Sequence, residues 1–201
     1  MTAEFDAVIF DFDGTLVDTM PIHYEAYRRA FAEAGLALEA AQFYGHVGGA
    51  ARETIPRFLA GRPCPWSIAE LHARKQEIAK ALLATAPLVT LATAQLIPLL
   101  YGRLALAIAS SGSRSGIEVV LDRLDLRSRF AAVVTGEDAE RGKPAPDLFL
   151  LAAERLGVRP ARCMVFEDTD DGVAAALGAG MAVIDVRRAI APSARLIPSS
   201  L

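Results

Sequence analysis

The strongest pattern along the chain is an alternation of short apolar runs with longer stretches of helical periodicity. Ala7–Phe10, Leu104–Ala109, Ala131–Val134, Met164–Phe166 and Ala182–Asp185 have strand length and few polar breaks, as expected of strands covered on both faces. Between them, Ile117–Leu124, Asp147–Leu156 and Val173–Leu177 repeat apolar residues at the spacing of one helix face. This alternation predicts a parallel sheet with helices on both sides. The rhythm fails from about Pro21 to Leu100, where amphipathic helices are predicted over Pro21–Ala34, Glu53–Leu59 and Ser67–Leu83 without a strand. The expected fold is therefore α/β, with a Rossmann-like parallel-sheet core from residues 1–19 and 101–201 and a helical cap of residues 20–100 inserted after the first strand. The tail from Arg187, with its prolines and serines, is expected to be loosely held.

Polar residues enter this pattern where the strands should end. Asp11-Phe12-Asp13-Gly14-Thr15 follows the first run. Asp11 and Asp13 are two apart, so an extended backbone points both carboxylates to one side. Gly14 permits a sharp turn or a close backbone approach. Two converging carboxylates repel, and such a pair points to a metal, a proton relay or a nucleophile. Ser110-Ser111-Gly112 closes the second run, Gly142-Lys143-Pro144 follows the third and Glu167-Asp168 ends the fourth. Ligands of open α/β sheets lie outside the carboxyl ends of the strands, so these loops should face one crevice.

Carboxylates, a hydroxyl and an ammonium together suit an anion such as phosphate beside a hard divalent cation. A carboxylate approaching a phosphate to about 4 Å meets roughly 4 kcal/mol of repulsion per charge pair at an effective dielectric of 20. An oxygen-coordinated Mg²⁺ would cancel most of that, and a lysine would offset more. Only three of the 21 basic residues are lysines, which singles out Lys143.

Composition narrows the classes. The chain has 201 residues, 53% of them apolar, enough for a core with an insertion. A net charge of −3 provides no electrostatic footprint for nucleic acid or an anionic membrane. The start, Met1 to Asp6, lacks the basic and apolar regions of a signal peptide. The most apolar stretch, Leu88 to Tyr101, is broken by Gln95 and Pro98. Cys64 and Cys163 are expected to be free thiols in a reducing cytoplasm. A cytoplasmic monomer or weak dimer, with no nucleic-acid or membrane partner, is the expectation.

Taken in order, the four loop segments resemble the four motifs of the haloacid dehalogenase superfamily, and the inserted helices resemble its small α-helical cap. Gly142-Lys143-Pro144-Ala145-Pro146-Asp147 and Phe166-Glu167-Asp168 are similar in particular to the β-phosphoglucomutase-like branch, which includes sugar-phosphate phosphatases. The resemblance runs from Phe5 to about Arg187. It implies a Mg²⁺-dependent phosphatase acting on a small phosphorylated metabolite, a sugar phosphate, through an aspartyl-phosphate. It implies Asp11 as nucleophile and Asp13 as general acid, then general base. Thr15, Ser110, Ser111 and Lys143 would hold the phosphate, and Asp11, Asp13, Glu167 and Asp168 the Mg²⁺, Asp13 through its backbone carbonyl. Phosphoryl transfer of the β-phosphoglucomutase type is the alternative. Gly112-Ser113-Arg114 weighs against it, because a bisphosphate intermediate calls for polar residues there.

Other residues have plainer readings. Asp170, Asp171 and Ser113 suit helix capping, and Thr19 is a candidate hinge. His46 and His72 read as structural or solvated, and Arg74, most simply on a solvated helix face, could also reach from the cap to a sugar or a second phosphate. For His23, Arg52 and Lys75 in the cap, an ordinary helix position and a substrate contact both remain open. The loop Val47–Arg52 aligns with the substrate-recognition loop of the branch with a one-residue offset.

Overall fold

The first apolar run forms β1 (Ala7–Phe10), and all four of its residues are buried. A strand without a polar face must be covered on both sides. The computed structural model, which describes residues 5–46 and 51–189 except for the side chains of 51–53 and 189, places β1 at the centre of the sheet. The chain continues through α1 (Met20–Glu33), α2 (Ala40–Tyr44), α3 (Ala51–Leu59), α4 (Ile68–Thr85) and α5 (Leu96–Leu100). It then alternates through β2 (Ala105–Ala109), α6 (Arg114–Arg123), β3 (Ala132–Val134), α7 (Asp147–Leu156), β4 (Cys163–Glu167), α8 (Asp170–Gly178), β5 (Ala182–Asp185) and α9 (Val186–Ala189). The five strands are parallel, in the order β3-β2-β1-β4-β5. The strand order reverses direction around β1, which opens a crevice above its carboxyl end.

The two faces of β1 carry different side chains. Ala7 and Ile9 join Ala107, Ala109 and Ala132 in a small-residue layer against Ala152, Ala153, Ala175 and Ala176 of α7 and α8. Val8 and Phe10 join Leu106, Ile108 and Val133 in a bulkier layer against α5 and α6. Phe10 stacks on Phe166, its register partner in β4, with ring centroids 5.2 Å apart.

The inserted helices have a core of their own. Phe31, Phe43, Phe58 and Ile55 are fully buried there, with Tyr27 and Leu71. Ala26 and Ala30 of α1 meet Ile78 and Ala79 of α4, so the two long helices pack closely. α4 starts where the sequence Ser67-x-x-Glu70 forms a capping box. Its far end is tied to the sheet domain, because Arg123 Nη1 donates to the carbonyls of Leu83 (2.6 Å) and Ala86 (2.8 Å). Beyond it the chain returns to the sheet. Asp18 N donates to Val89 O, Leu91 N donates to Leu16 O, and Ile97 joins the bulkier layer.

Strands and long helices match the predicted pattern to within a few residues, and β1, α7 and β5 have the predicted bounds. α2 and α5 were not anticipated, because five residues are too few to show a 3.6-residue period. Among the described residues no helix is long and apolar enough to cross a membrane. Both cysteines are free thiols, as expected. The tail from residue 190 lies outside the described residues.

Two predictions follow from this packing. Phe58→Ala should lower unfolding free energy by roughly 3–5 kcal/mol, read from urea midpoints at unchanged slope; a loss under about 1 kcal/mol would show that the aromatic cluster is not close-packed. The second concerns Asp138, which accepts hydrogen bonds from Thr135 N and Oγ1 and from Arg155, and pairs with Arg114. Burial pushes its carboxyl up, but these donors outweigh it and hold the group at about 2. A folded value below the unfolded one stabilises above about pH 4, and that stability is lost as pH falls toward 2. Asp138→Asn should therefore flatten the stability profile between pH 4 and 2, and a profile parallel to that of the parent protein would rule the contribution out.

Candidate active site

The sheet continues into the acidic segment for one residue: Asp11 N donates to Phe166 O at 3.0 Å. This holds Asp11 at the carboxyl end of the central strand. The chain then folds back on itself, with the amides of Leu16 and Val17 on Phe12 O. Gly14 is required at this turn on two counts. Its φ is +85°, and a Cβ there would lie 2.2 Å from Asp168 Oδ2.

Lys143 joins three segments. It stands in the loop after β3, is buried, and its Nζ donates to Asp11 Oδ1 at 2.6 Å and Glu167 Oε1 at 2.5 Å. The ammonium also sits 5.0 Å from the centre of the Phe149 ring. The other oxygen of Glu167 accepts from Thr169 N (2.6 Å) and Thr169 Oγ1 (2.9 Å). A Cβ at Gly172 would fall 1.8 Å from Glu167 Oε1, so only glycine in the first turn of α8 admits this carboxylate. Thr169 is the side-chain cap of α8. That corrects the reading of Asp170 and Asp171 as caps: both lie inside the first turn, and Asp170 pairs with Arg187. Ser113 does cap α6, accepting from Gly116 N.

Asp11 and Glu167 thus share one ammonium with Asp168 nearby, and the acidities of Asp11 and Asp168 register the imbalance. Burial pushes the Asp11 carboxyl well up and Glu167 and Asp168 push it further, against Lys143. Burial, then Glu167, raises Asp168 to about 6 despite Lys143 and Thr15. Lys143 itself is held above its ordinary range, because Asp11 and Glu167 outweigh the cost of burial. One oxygen from each of Asp11, Glu167 and Asp168 can be chosen so that all three lie within 4.8 Å of one another. Hard oxygen donors with excess negative charge fit a Mg²⁺ ion. The Asp13 carboxylate is not part of that cluster, so a metal contact from Asp13 would have to come from its backbone, the atom the family resemblance implies.

Asp13 is held instead by groups that favour its charge. Its Oδ1 accepts from Thr19 Oγ1 at 2.5 Å and lies 3.2 Å from His23 Nε2, and Ser110 Oγ lies 3.5 Å from Oδ2. His23 Nδ1 is 3.3 Å from Lys75 Nζ. An ammonium only donates, so Nδ1 accepts and Nε2–H faces Asp13. Burial pushes Asp13 up, but His23, Thr19 and Lys75 prevail and hold it at about 2. Lys75 is buried, not part of a solvated helix face, and burial lowers it to about 8 against the pull of Asp13.

Thr15 and Ser110 are engaged within the protein. Thr15 donates to Asp168 Oδ1 at 3.3 Å, so it orients that carboxylate. The Ser111 side chain is exposed, whereas Ser110 is buried, its amide on Val134 O and its hydroxyl accepting from Gly112 N. The side chain of Arg52 and the loop residues 47–50 lie outside the described residues. Gln76 was missed altogether. It borders the cleft between the two domains with Asp13, His23, Leu83, Gly112 and Ile117. A helical wheel anchored on Ala79 and Leu83 places it on that face. The cleft is nearly closed, with about 10 Å³ of room, about one water molecule. A larger groove of about 460 Å³ lies on the outer side of α1 and α4. Its Arg74 is paired with Glu33 and Glu77, and none of the clustered carboxylates borders it.

The chain is similar to known proteins over most of its length. The chain is 33% identical over 187 residues to the fructose-1-phosphate phosphatase YqaB of Escherichia coli, spanning 93% of this chain and 99% of that protein. It is 36% identical over 180 residues to a phosphorylated carbohydrates phosphatase of Thermotoga maritima, spanning 88% of this chain and 82% of the relative. The crystal structure of CbbY from Rhodobacter sphaeroides in complex with phosphate superposes with a TM-score of 0.82 at 29% identity, covering 89% and 84% of the two chains. The model of the haloacid dehalogenase-like hydrolases matches residues 5–180. With the sheet order, the convergent carboxylates and the buried lysine, this establishes that the chain belongs to the haloacid dehalogenase-like hydrolase family.

Proposed function

We propose that the protein is a Mg²⁺-dependent phosphatase of sugar phosphates that works through an aspartyl-phosphate. The observation that carries the reading is the opposite setting of two carboxylates two residues apart. Asp11 is buried against Lys143 in the acidic cluster, and Asp13 faces the cap in a charge-favouring shell. Relatives named as phosphatases of fructose 1-phosphate and of phosphorylated carbohydrates support the substrate class.

Asp11 is the nucleophile. One of its oxygens bonds to phosphorus as the bond to the leaving alcohol breaks. Lys143 stays on the phosphoryl oxygens and on Glu167, which keeps the ammonium from following the departing charge. Ser110 supplies a hydroxyl at the same strand edge. Asp168 and Asp11, with the backbone carbonyl of Asp13, would hold the Mg²⁺. Glu167, with both oxygens engaged inside the protein, would stand behind them. When bound, the cation would neutralise the repulsion between carboxylate and phosphate.

Asp13 moves the protons. A phosphate dianion arriving beside it raises its proton affinity, so it can protonate the leaving oxygen. It then takes a proton from the water that attacks phosphorus, and Asp11 is released. Thr19 and His23 aim the carboxylate in both halves. Pockets for small molecules measure roughly 300–1,000 Å³, so the cap must swing away from the nearly closed cleft to admit a sugar phosphate. On this reading the cap comprises α1 to α4, with crossings at Thr19–Met20 and just past Thr85; it is shorter than the expected 20–100, because Val89, Leu91 and Ile97 already pack on the sheet domain.

The test is phosphate release from a panel of sugar phosphates, fructose 1-phosphate among them, with Mg²⁺ and with excess chelator. Release should need Mg²⁺, fall to background in Asp11→Asn, and drop by roughly 10²–10⁴-fold in Asp13→Asn. Full activity in chelator would overturn the metal reading, and intact hydrolysis in Asp11→Asn would overturn the nucleophile. Conversion of β-glucose 1-phosphate to an isomer without phosphate release, given a trace of the bisphosphate, would favour a mutase instead.

A further inference from the structure

α4 crosses the cleft at an angle that sorts its residues by distance from the sheet domain. Leu83 packs on the sheet side, where its Cδ1 lies 3.2 Å from the position a Cβ would take at Gly116. Ala79 and Gln76 follow along the same border of the cleft. His72 is the next residue on this face, four positions before Gln76, which is one further turn of about 5.4 Å away from the phosphate end. Lys75, beside this stripe, reaches His23 and through it Asp13.

His72 does not behave as a packing residue. Its Nδ1 is buried without a hydrogen-bond partner, the one such side-chain atom among the described residues. Its Nε2 lies 3.5 Å from Gln76 Nε2, at the limit of a hydrogen bond. A buried, unpaired nitrogen costs stability that an apolar residue at this position would not. Burial, then the Lys75 charge, lowers its proton affinity, so the ring is neutral and offers one donor and one acceptor. A Gln amide offers both as well. A sugar hydroxyl, itself donor and acceptor, matches that pair.

Resting on the sugar-phosphate reading, we infer that Gln76 and His72 are specificity residues that receive the hydroxyl groups of the leaving alcohol, Gln76 at the cleft that Asp13 also lines and His72 one helical turn beyond it. The phosphate end is held by Asp11, Lys143 and Ser110, and the polyol end by this stripe of α4. A site built on hydrogen bonds to hydroxyls penalises substrates that lack them, because its own polar groups are then left unpaired.

The experiment compares two esters on the full chain with Mg²⁺: the best hexose or hexitol phosphate from the panel, and p-nitrophenyl phosphate, whose leaving group has no alcohol hydroxyls. His72→Phe and Gln76→Leu should each lower kcat/KM for the sugar phosphate roughly 10-fold or more, and leave p-nitrophenyl phosphate within about 2-fold. Gln76→Asn, which keeps the amide, should recover part of the loss. Equal losses on both esters, including those of a variant that folds poorly, would show a merely structural role and overturn the inference. Unchanged sugar-phosphate turnover would overturn it too. If the parent protein hydrolyses neither ester, it is the phosphatase reading that falls.

Discussion

The site depends on one buried ammonium. Lys143 comes from the loop after β3, Asp11 from the end of β1 and Glu167 from the end of β4, and the three meet with N–O distances of 2.5 and 2.6 Å. A buried ion pair is weak evidence for stability, since desolvation can exceed the attraction. Its consequence here is positional. Removing any partner leaves an uncompensated buried charge, so the three strand ends must stay in one arrangement. Glu167 secures this by fitting into the first turn of α8, where Thr169 donates to it and Gly172 leaves room.

The same ammonium is insufficient for the charge around it. Asp11 and Asp168 both resist ionisation, and burial is the leading cause in each case. A cation held by them would relieve that resistance, which is why this oxygen-rich strand end suits a metal ion. Asp13 shows the opposite balance a short way along the chain. It lies outside the cluster and is stabilised from the cap by His23 and Lys75 and from the junction by Thr19. The difference in setting between the two carboxylates therefore follows the division between the sheet domain and its insertion.

Much of this was legible in the sequence, for a physical reason. Strands buried on both faces must be continuously apolar, so Ala7–Phe10 and Ala182–Asp185 announce themselves, as does the periodic α7. Charged residues at the ends of such strands have no structural excuse, which made Asp11, Glu167 and Asp168 visible, and the scarcity of lysines did the same for Lys143. What stayed hidden depends on tertiary neighbours. Thr15 lies beside the nucleophile in sequence, yet its hydroxyl turns to Asp168 because Gly14 brings that carboxylate close. Lys75 looks like any helix lysine until Tyr27 and His23 are found against it.

The cap illustrates a general asymmetry between making a reaction possible and choosing its substrate. Chemistry at phosphorus requires charged groups at strand ends, and burying charge is costly enough that few arrangements survive. Recognition of an alcohol requires neutral donors and acceptors on a helix face, which are inexpensive to change and look like ordinary helix residues. Gln76 and His72 have no motif around them; what distinguishes them is the cleft on one side and an unsatisfied nitrogen on the other. Family membership is accordingly legible at the strand ends, while substrate choice must be sought where a helix faces Asp13 across a narrow cleft.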